Sequence, residues 1–110
     1  MSEENVVTKL SPALTGKQRR YLRSLGHDLR AIVLVGQKGV SEGLIENLDS
    51  ALTSHELVKV KVHDGSSIDE VALALHTATG AQLAQKIGKS LLFYRANPEE
   101  PEIRLPRDRA

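Results

Sequence analysis

The chain has no cysteine, which excludes disulfide bridges, thiolate nucleophiles and Cys-ligated metals. Aromatic residues make up only 3% of it. The interior must therefore be built from Leu, Ile, Val and Ala, and few rings are left for stacking nucleobases in the manner of RRM domains. No apolar run is long enough to span a bilayer. Met1 to Asn5 is polar and acidic, with no secretory apolar segment. The expectation is a soluble cytoplasmic protein without a membrane partner. Its 110 residues, 40% apolar, suffice for one domain with a single core.

A net charge of +1 points to no partner, but the distribution of charge is uneven. From Ser11 to Val40 there are six basic residues (Lys17, Arg19, Arg20, Arg23, Arg30, Lys38) and one acidic (Asp28), a balance of +5. From Ser41 to Gly80 seven acidic residues face two basic ones, a balance of −5. Such blocks predict a one-sided electrostatic surface.

Along the chain, residues 1–12 lack periodicity and are expected to form a flexible tail. Thr15 suits a helix N-cap, with Gln18 as its capping-box partner. The helix is predicted to run to about Leu29, with Leu14, Tyr21, Leu22, Leu25 and Leu29 as its apolar stripe. Ala31 to Val35 is a continuous apolar run, the pattern of a strand covered on both faces or central in a sheet. Ser41 caps a second helix whose buried face is Leu44, Ile45, Leu48 and Leu52. Leu57 to His63 alternates, with Val58, Val60 and Val62 on one side and Lys59 and Lys61 on the other, as in a half-buried strand.

Ser66 or Ser67 caps a third helix with Ile68, Val71, Ala72, Leu75 and Ala78 inward, ended by Gly80. Gln82 to Ile87 and Ser90 to Arg95 flank Gly88-Lys89 and read as a hairpin, with Leu83 and Ile87 toward the core and Ala84 and Lys86 opposite. Residues 98–110 are rich in Pro and charge and form an extended tail, which Ile103 and Leu105 can pin to the body. The order α-β-α-β-α-β-β predicts an α/β two-layer sandwich with a small mixed sheet, spanning residues 13–97.

Between the first strand and the second helix lies Gly36-Gln37-Lys38-Gly39. Two glycines let a backbone approach without an intervening Cβ, the loop amides and the helix N-terminus favour an anion, and Lys38 adds a full charge. Gln37 can donate to a phosphate oxygen or a 2′-hydroxyl. Lys17, Arg19, Arg20 and Arg23 fall largely outside the apolar stripe of the first helix and extend the basic track. Lys86 and Lys89 cluster near the hairpin and are counted with it. This pattern predicts an anionic partner, with RNA held by its backbone as the first candidate. The alternative is a protein-interaction module that docks the acidic helices on a basic partner. Four histidines (His27, His55, His63, His76) show no metal-ligand spacing, and no glycine-framed serine is present, so no catalytic or metal site and no cofactor is expected.

Leu34 to Ser41, His55 to Lys61, Thr79-Gly80-Ala81 and Ile87 to Arg95, in this order and spacing, resemble the YhbY family of bacterial RNA-binding proteins. That family is the stand-alone form of the CRM domain (chloroplast RNA splicing and ribosome maturation). The resemblance covers roughly Leu14 to Arg107. It implies a fold like the C-terminal domain of translation initiation factor three. It also implies binding of ribosomal RNA in precursors of the large subunit, with ribosomal proteins as further partners of a monomer. The Gly36–Gly39 loop then corresponds to the family's Gly-x-x-Gly loop. Two departures stand out: the segment from Val62 to Val71 is a few residues short, and Lys86 stands where the family is usually apolar. Strict alternation turns Lys86 away from the helices and enlarges a basic face; the other reading buries it and changes the hairpin register.

Overall fold

The computed structural model describes residues 3–107. Helix α1 (Glu3–Lys9), helix α2 (Gly16–Gly26), strand β1 (Ala31–Val35), helix α3 (Glu42–Ser54), strand β2 (Leu57–Val62), helix α4 (Ile68–Thr79) and strands β3 (Gln82–Ile87) and β4 (Ser90–Tyr94) follow in order. The sheet runs β1-β2-β4-β3, with β1 and β2 parallel and the other pairs antiparallel. The α/β architecture with a small mixed sheet is as expected.

Helix α1 precedes the expected order, so residues 3–12 are not a loose tail; residues 1 and 2 lie outside the described part. Val6, Val7 and Leu10 make a short apolar face that joins the main core. The Leu10 carbonyl accepts the Leu83 N–H at 2.9 Å, which covers part of the outer edge of β3.

The main core lies between the sheet and α1, α3 and α4, filled by Val33, Val35, Val58, Val60, Val62, Leu83, Leu91 and Phe93 from the strands. Leu48, Leu52, Val71, Ala72 and Leu75 come from the helices, whereas Ala78 is exposed. Helix α2 lies on the reverse face, over Leu57, Ala84, Leu92 and Tyr94, and the tail adds Ile103 and Leu105 to this second cluster. Thr15 and Gln18 form the reciprocal capping box of α2, and Ser67 caps α4.

Helix α2 ends at Gly26 rather than near Leu29. A Cβ at Gly26 would stand 2.6 Å from a Leu92 methyl, so only glycine lets the helix end lie this close to the sheet. Of the expected stripe, Leu14 and Leu22 are buried, while Tyr21, Leu25 and Leu29 stay more than one-third exposed.

Two strand expectations are corrected. Strand β1 is an edge strand, and only Val33 and Val35 are buried; Ile32 is 54% and Leu34 64% exposed. In β3 the pairing with β4 shifts between Leu83 and Gln85, which makes Ala84 an extra residue. Alternation is reversed beyond it. Ile87 therefore turns outward, and Lys86 turns to the α4 side, where its ammonium meets Asp69 at 2.7 Å with its side chain only 9% exposed.

Candidate functional site

The Gly36–Gly39 loop is a tight turn at the end of β1. The Gly39 N–H donates to the Gly36 carbonyl at 3.0 Å, and Gly39 has a φ of 76°, the left-handed region that glycine enters freely. Gly36 has no such requirement: its φ is not positive, and a Cβ there would meet nothing within 4 Å. The backbone favours glycine at Gly39 and leaves room for a Cβ at Gly36, so the open side of Gly36 is available to a partner's backbone. Gln37 and Lys38 are exposed. Ser41 takes the Leu44 N–H of α3 at 3.2 Å, and Glu42 already complements the helix dipole. The attraction for an anion at this loop therefore rests on its amides and Lys38 rather than on the helix end.

Arg20 and Arg23 on α2 are exposed, with no carboxylate partner among the described residues, and the same holds for Lys17. Arg19 is half-buried and partly committed: it donates to the Leu14 carbonyl at 2.8 Å, bracing the link from α1 to α2. Arg19, Arg20, Arg23 and Lys86 line one cleft of about 390 Å³ between α1, α2 and the edge of β3. This cleft and the Gly36–Gly39 loop lie at opposite edges of the sheet. Three strand spacings separate those edges, roughly 14 Å. Lys89 stands apart from both, donating to the Asp64 carbonyl at 3.4 Å across the turn before α4.

Lys86 and Arg95 reach the acidic side of the molecule and are neutralised there. Arg95 bonds Asp49 at 2.6 Å and the Thr79 carbonyl at 2.9 Å, tying α3 to the end of α4. Lys59 and Lys61, by contrast, lie on the reverse face and show no acidic partner among the described residues. The alternation of β2 revealed their side. The exposure of Ile32 and Leu34 beside them was hidden, because a continuous apolar run does not distinguish a central strand from an edge strand.

Glu56 holds the C-terminal tail. Its carboxylate accepts the Asn97 N–H at 2.6 Å, the Glu102 N–H at 2.9 Å and the Ile103 N–H at 2.6 Å. Burial pushes its pKa up, but the three amides together outweigh burial and hold it below the usual carboxylate value. Burial, and then the Glu56 charge, push the Tyr94 phenol above its ordinary value. Among the described residues no group of three His, Cys, Asp or Glu is arranged to hold a metal ion. No described helix is long and apolar enough to cross a membrane.

A mixed four-stranded sheet, with a Gly-x-x-Gly turn at one edge and an arginine cleft at the other, defines a small α/β module. The CRS1 / YhbY (CRM) domain matches residues 14–95, and the chain belongs to this family. It is 41% identical to the probable RNA-binding protein YqeI of Bacillus subtilis, over 84% of this chain and 99% of that protein. It is 38% identical to an RNA-binding protein of Haemophilus influenzae, over 86% of this chain and 96% of that protein. The solution structure of a hypothetical protein from Staphylococcus aureus superimposes with a TM-score of 0.74 at 43% identity, covering 84% of this chain and 99% of the other.

Proposed function

We propose that this chain is a cytoplasmic, monomeric RNA-binding protein that grips the sugar–phosphate backbone and serves in assembly of the large ribosomal subunit. The observation that carries the reading is the division of its cations. Lys86 and Arg95 are neutralised on the acidic side by Asp69 and Asp49, whereas Lys38, Arg20, Arg23 and Lys17 have no acidic partner among the described residues. The names of the Bacillus and Haemophilus relatives support RNA as the polyanion. The ribosome enters through the family resemblance alone.

Gly36 and Gly39 admit the RNA backbone, Lys38 meets phosphate, and Gln37 donates to phosphate or a 2′-hydroxyl. Arg20 and Arg23 continue the contact on α2, with Lys17 at its edge and Arg19 as a partly committed member of the cleft. Lys86 contributes its stem to the cleft wall while Asp69 offsets its charge. The alternative, docking of the acidic helices on a basic protein, would use the exposed Glu42, Glu46 and Glu70, since Asp49 and Asp69 are already paired within the chain.

The test is RNA affinity as a function of salt for wild type and for Lys38→Ala/Arg20→Ala. Each lost phosphate contact should lower the slope of log K against log salt by about 0.7 to 0.9. Unchanged affinity and slope would remove the loop and α2 from the contact. Sedimentation of cell extract at low and high salt tests the ribosomal part: co-migration with large-subunit particles, lost at high salt, is expected. Migration at the top under both conditions would remove the ribosome and leave RNA binding to stand on its own measurement.

A further inference from the structure

The reverse face of the sheet is only half covered. Helix α2 and the tail seal the end occupied by Leu57, Leu92 and Tyr94. At the other end the strand pairings place Leu34, Lys61, Ser90 and Ile87 in one row across β1, β2, β4 and β3. Leu34 is 64% and Ile87 41% exposed, and Ile32 on β1, also open, adds a further 54%-exposed side chain. Large aliphatic side chains left open in this number on one small face are unusual without a partner.

From these positions we infer that this row is a platform for unpaired nucleobases of the RNA strand held by the Gly36–Gly39 loop. The inference rests on the RNA-binding reading above and specifies which form of RNA it takes. Charge complementarity selects the occupant. Lys59 and Lys61 rise from this face without a carboxylate partner among the described residues, while the paired acids Asp49 and Asp69 belong to α3 and α4 on the opposite face. The row is also continuous with the proposed backbone contacts. Leu34 lies two residues before Gly36, and at the far edge Ile87 follows Lys86, which lines the arginine cleft. A strand crossing from the loop to the cleft passes over it.

The aliphatic side chains cover the apolar faces of bases, and the lysines meet the phosphates between them. A duplex keeps those base faces stacked inside and cannot use the row. With no aromatic ring in the row, the contact lacks the stacking preference of an RRM and discriminates little between bases.

The experiment compares wild type, Ile32→Thr/Leu34→Thr, Ile87→Thr and Lys38→Ala for binding to a short unstructured single-stranded RNA and to a duplex of the same length. Threonine suits a strand, and all three aliphatic positions are exposed, Ile87 least at 41%, so retention of the fold is checked by thermal melting. The expected result is tighter binding of the single strand by wild type. Ile32→Thr/Leu34→Thr should weaken it about tenfold, the size expected from uncovering two half-open aliphatic side chains. The salt slope should not change, because no counterion contact is lost, whereas Lys38→Ala should reduce it. Ile87→Thr should weaken the single strand in the same direction.

If the threonine variants bind the single strand as wild type does while Lys38→Ala is impaired, the platform is refuted and RNA binding through the loop stands. If wild type binds neither RNA, both readings fall. If wild type self-associates in sedimentation and Ile32→Thr/Leu34→Thr abolishes that without changing RNA affinity, the face belongs to a second copy and the platform is refuted.

Discussion

Gly36→Ala and Gly39→Ala should have opposite effects on the fold and similar effects on the ligand. At Gly39 a new methyl has open space, so the cost is confined to the backbone, held at a φ of 76°. Holding an L-residue in the left-handed region costs about 1–2 kcal/mol. For a chain of this size that lowers Tm by about 4–16 °C. At Gly36 there is neither strain nor contact, and alanine restricts the unfolded chain, so stability should be unchanged or higher by about 0.4–1 kcal/mol. A Cβ at Gly36 nevertheless stands where RNA backbone is proposed to approach. Thermal melting by circular dichroism, paired with fluorescence anisotropy on a labelled single-stranded RNA, separates the two effects. Gly36→Ala should melt at or above the wild-type temperature and bind RNA about tenfold more weakly, the loss of roughly one good hydrogen bond to phosphate. A lower Tm would show that the fold itself needs this glycine. Wild-type affinity in a fully folded Gly36→Ala would show that no backbone approaches the loop there.

Glu56→Gln keeps the side-chain shape but turns an amide donor toward one of the three backbone N–H groups. Loss of charge-assisted bonds of this kind costs about 1.5–3 kcal/mol, read as an earlier thermal transition and faster tryptic cleavage after Arg104. Because the folded pKa of Glu56 is depressed, its contribution is complete above the unfolded value of about 4.3 and is lost as pH falls through the lower folded value. The stability gap between wild type and Glu56→Gln should therefore close in acid; a gap independent of pH would contradict the clamp. The same substitution should lower the pH at which Tyr94 ionises, followed by ultraviolet absorbance, since it removes the nearby negative charge. Gly26→Ala should destabilise by up to about 2 kcal/mol, overpacking against Leu92 exceeding the gain in helix propensity, and Leu92→Val should rescue part of the loss in a double-mutant cycle. Asp69→Asn should raise affinity for RNA by freeing the Lys86 charge beside the arginine cleft; no change in affinity or in salt slope would remove that cleft from the contact.

Local chemistry was the readable part of this sequence. The Thr15–Gln18 capping box, the Ser41 cap, the left-handed Gly80 and the inward valines of β2 are decided within a few residues, and each is found where its spacing put it. What was not readable depends on neighbours distant in sequence. The edge position of β1 follows from the pairing order of four strands, and nothing in Ala31–Val35 distinguishes an edge from a centre. The bulge at Ala84 reverses Lys86 and Ile87 because β4 pairs past it, although the segment alone reads as regular alternation. Helix α1 is short for an isolated helix, so propensity does not announce it; packing of Val7 and Leu10 on the core holds it. The candidate loop was legible because turn, charge and cap lie within one stretch. The division of the cations into neutralised and free was not, since Asp69 is 17 residues from Lys86 and Asp49 is 46 from Arg95.

That division changes what the two charge blocks mean. A −5 segment following a +5 segment invites a picture of two opposed faces that attract two kinds of partner. Folding weakens the acidic side first. Its α3 and α4 carboxylates include Asp49 and Asp69, which take the cations contributed by β3 and the end of β4, and Glu56 is buried against backbone amides instead of facing a partner. Nothing comparable offsets Arg20, Arg23, Lys38, Lys59 or Lys61 among the described residues. Three of the seven acidic residues therefore act inward, holding the hairpin, α4 and the tail in place, while Glu42, Glu46, Asp64 and Glu70 stay exposed and the free basic charge acts outward on the other face. A near-neutral chain can in this way present a surface that attracts a polyanion over a Debye length of about 8 Å at physiological salt. Its salt dependence then reports the free cations alone rather than the net charge.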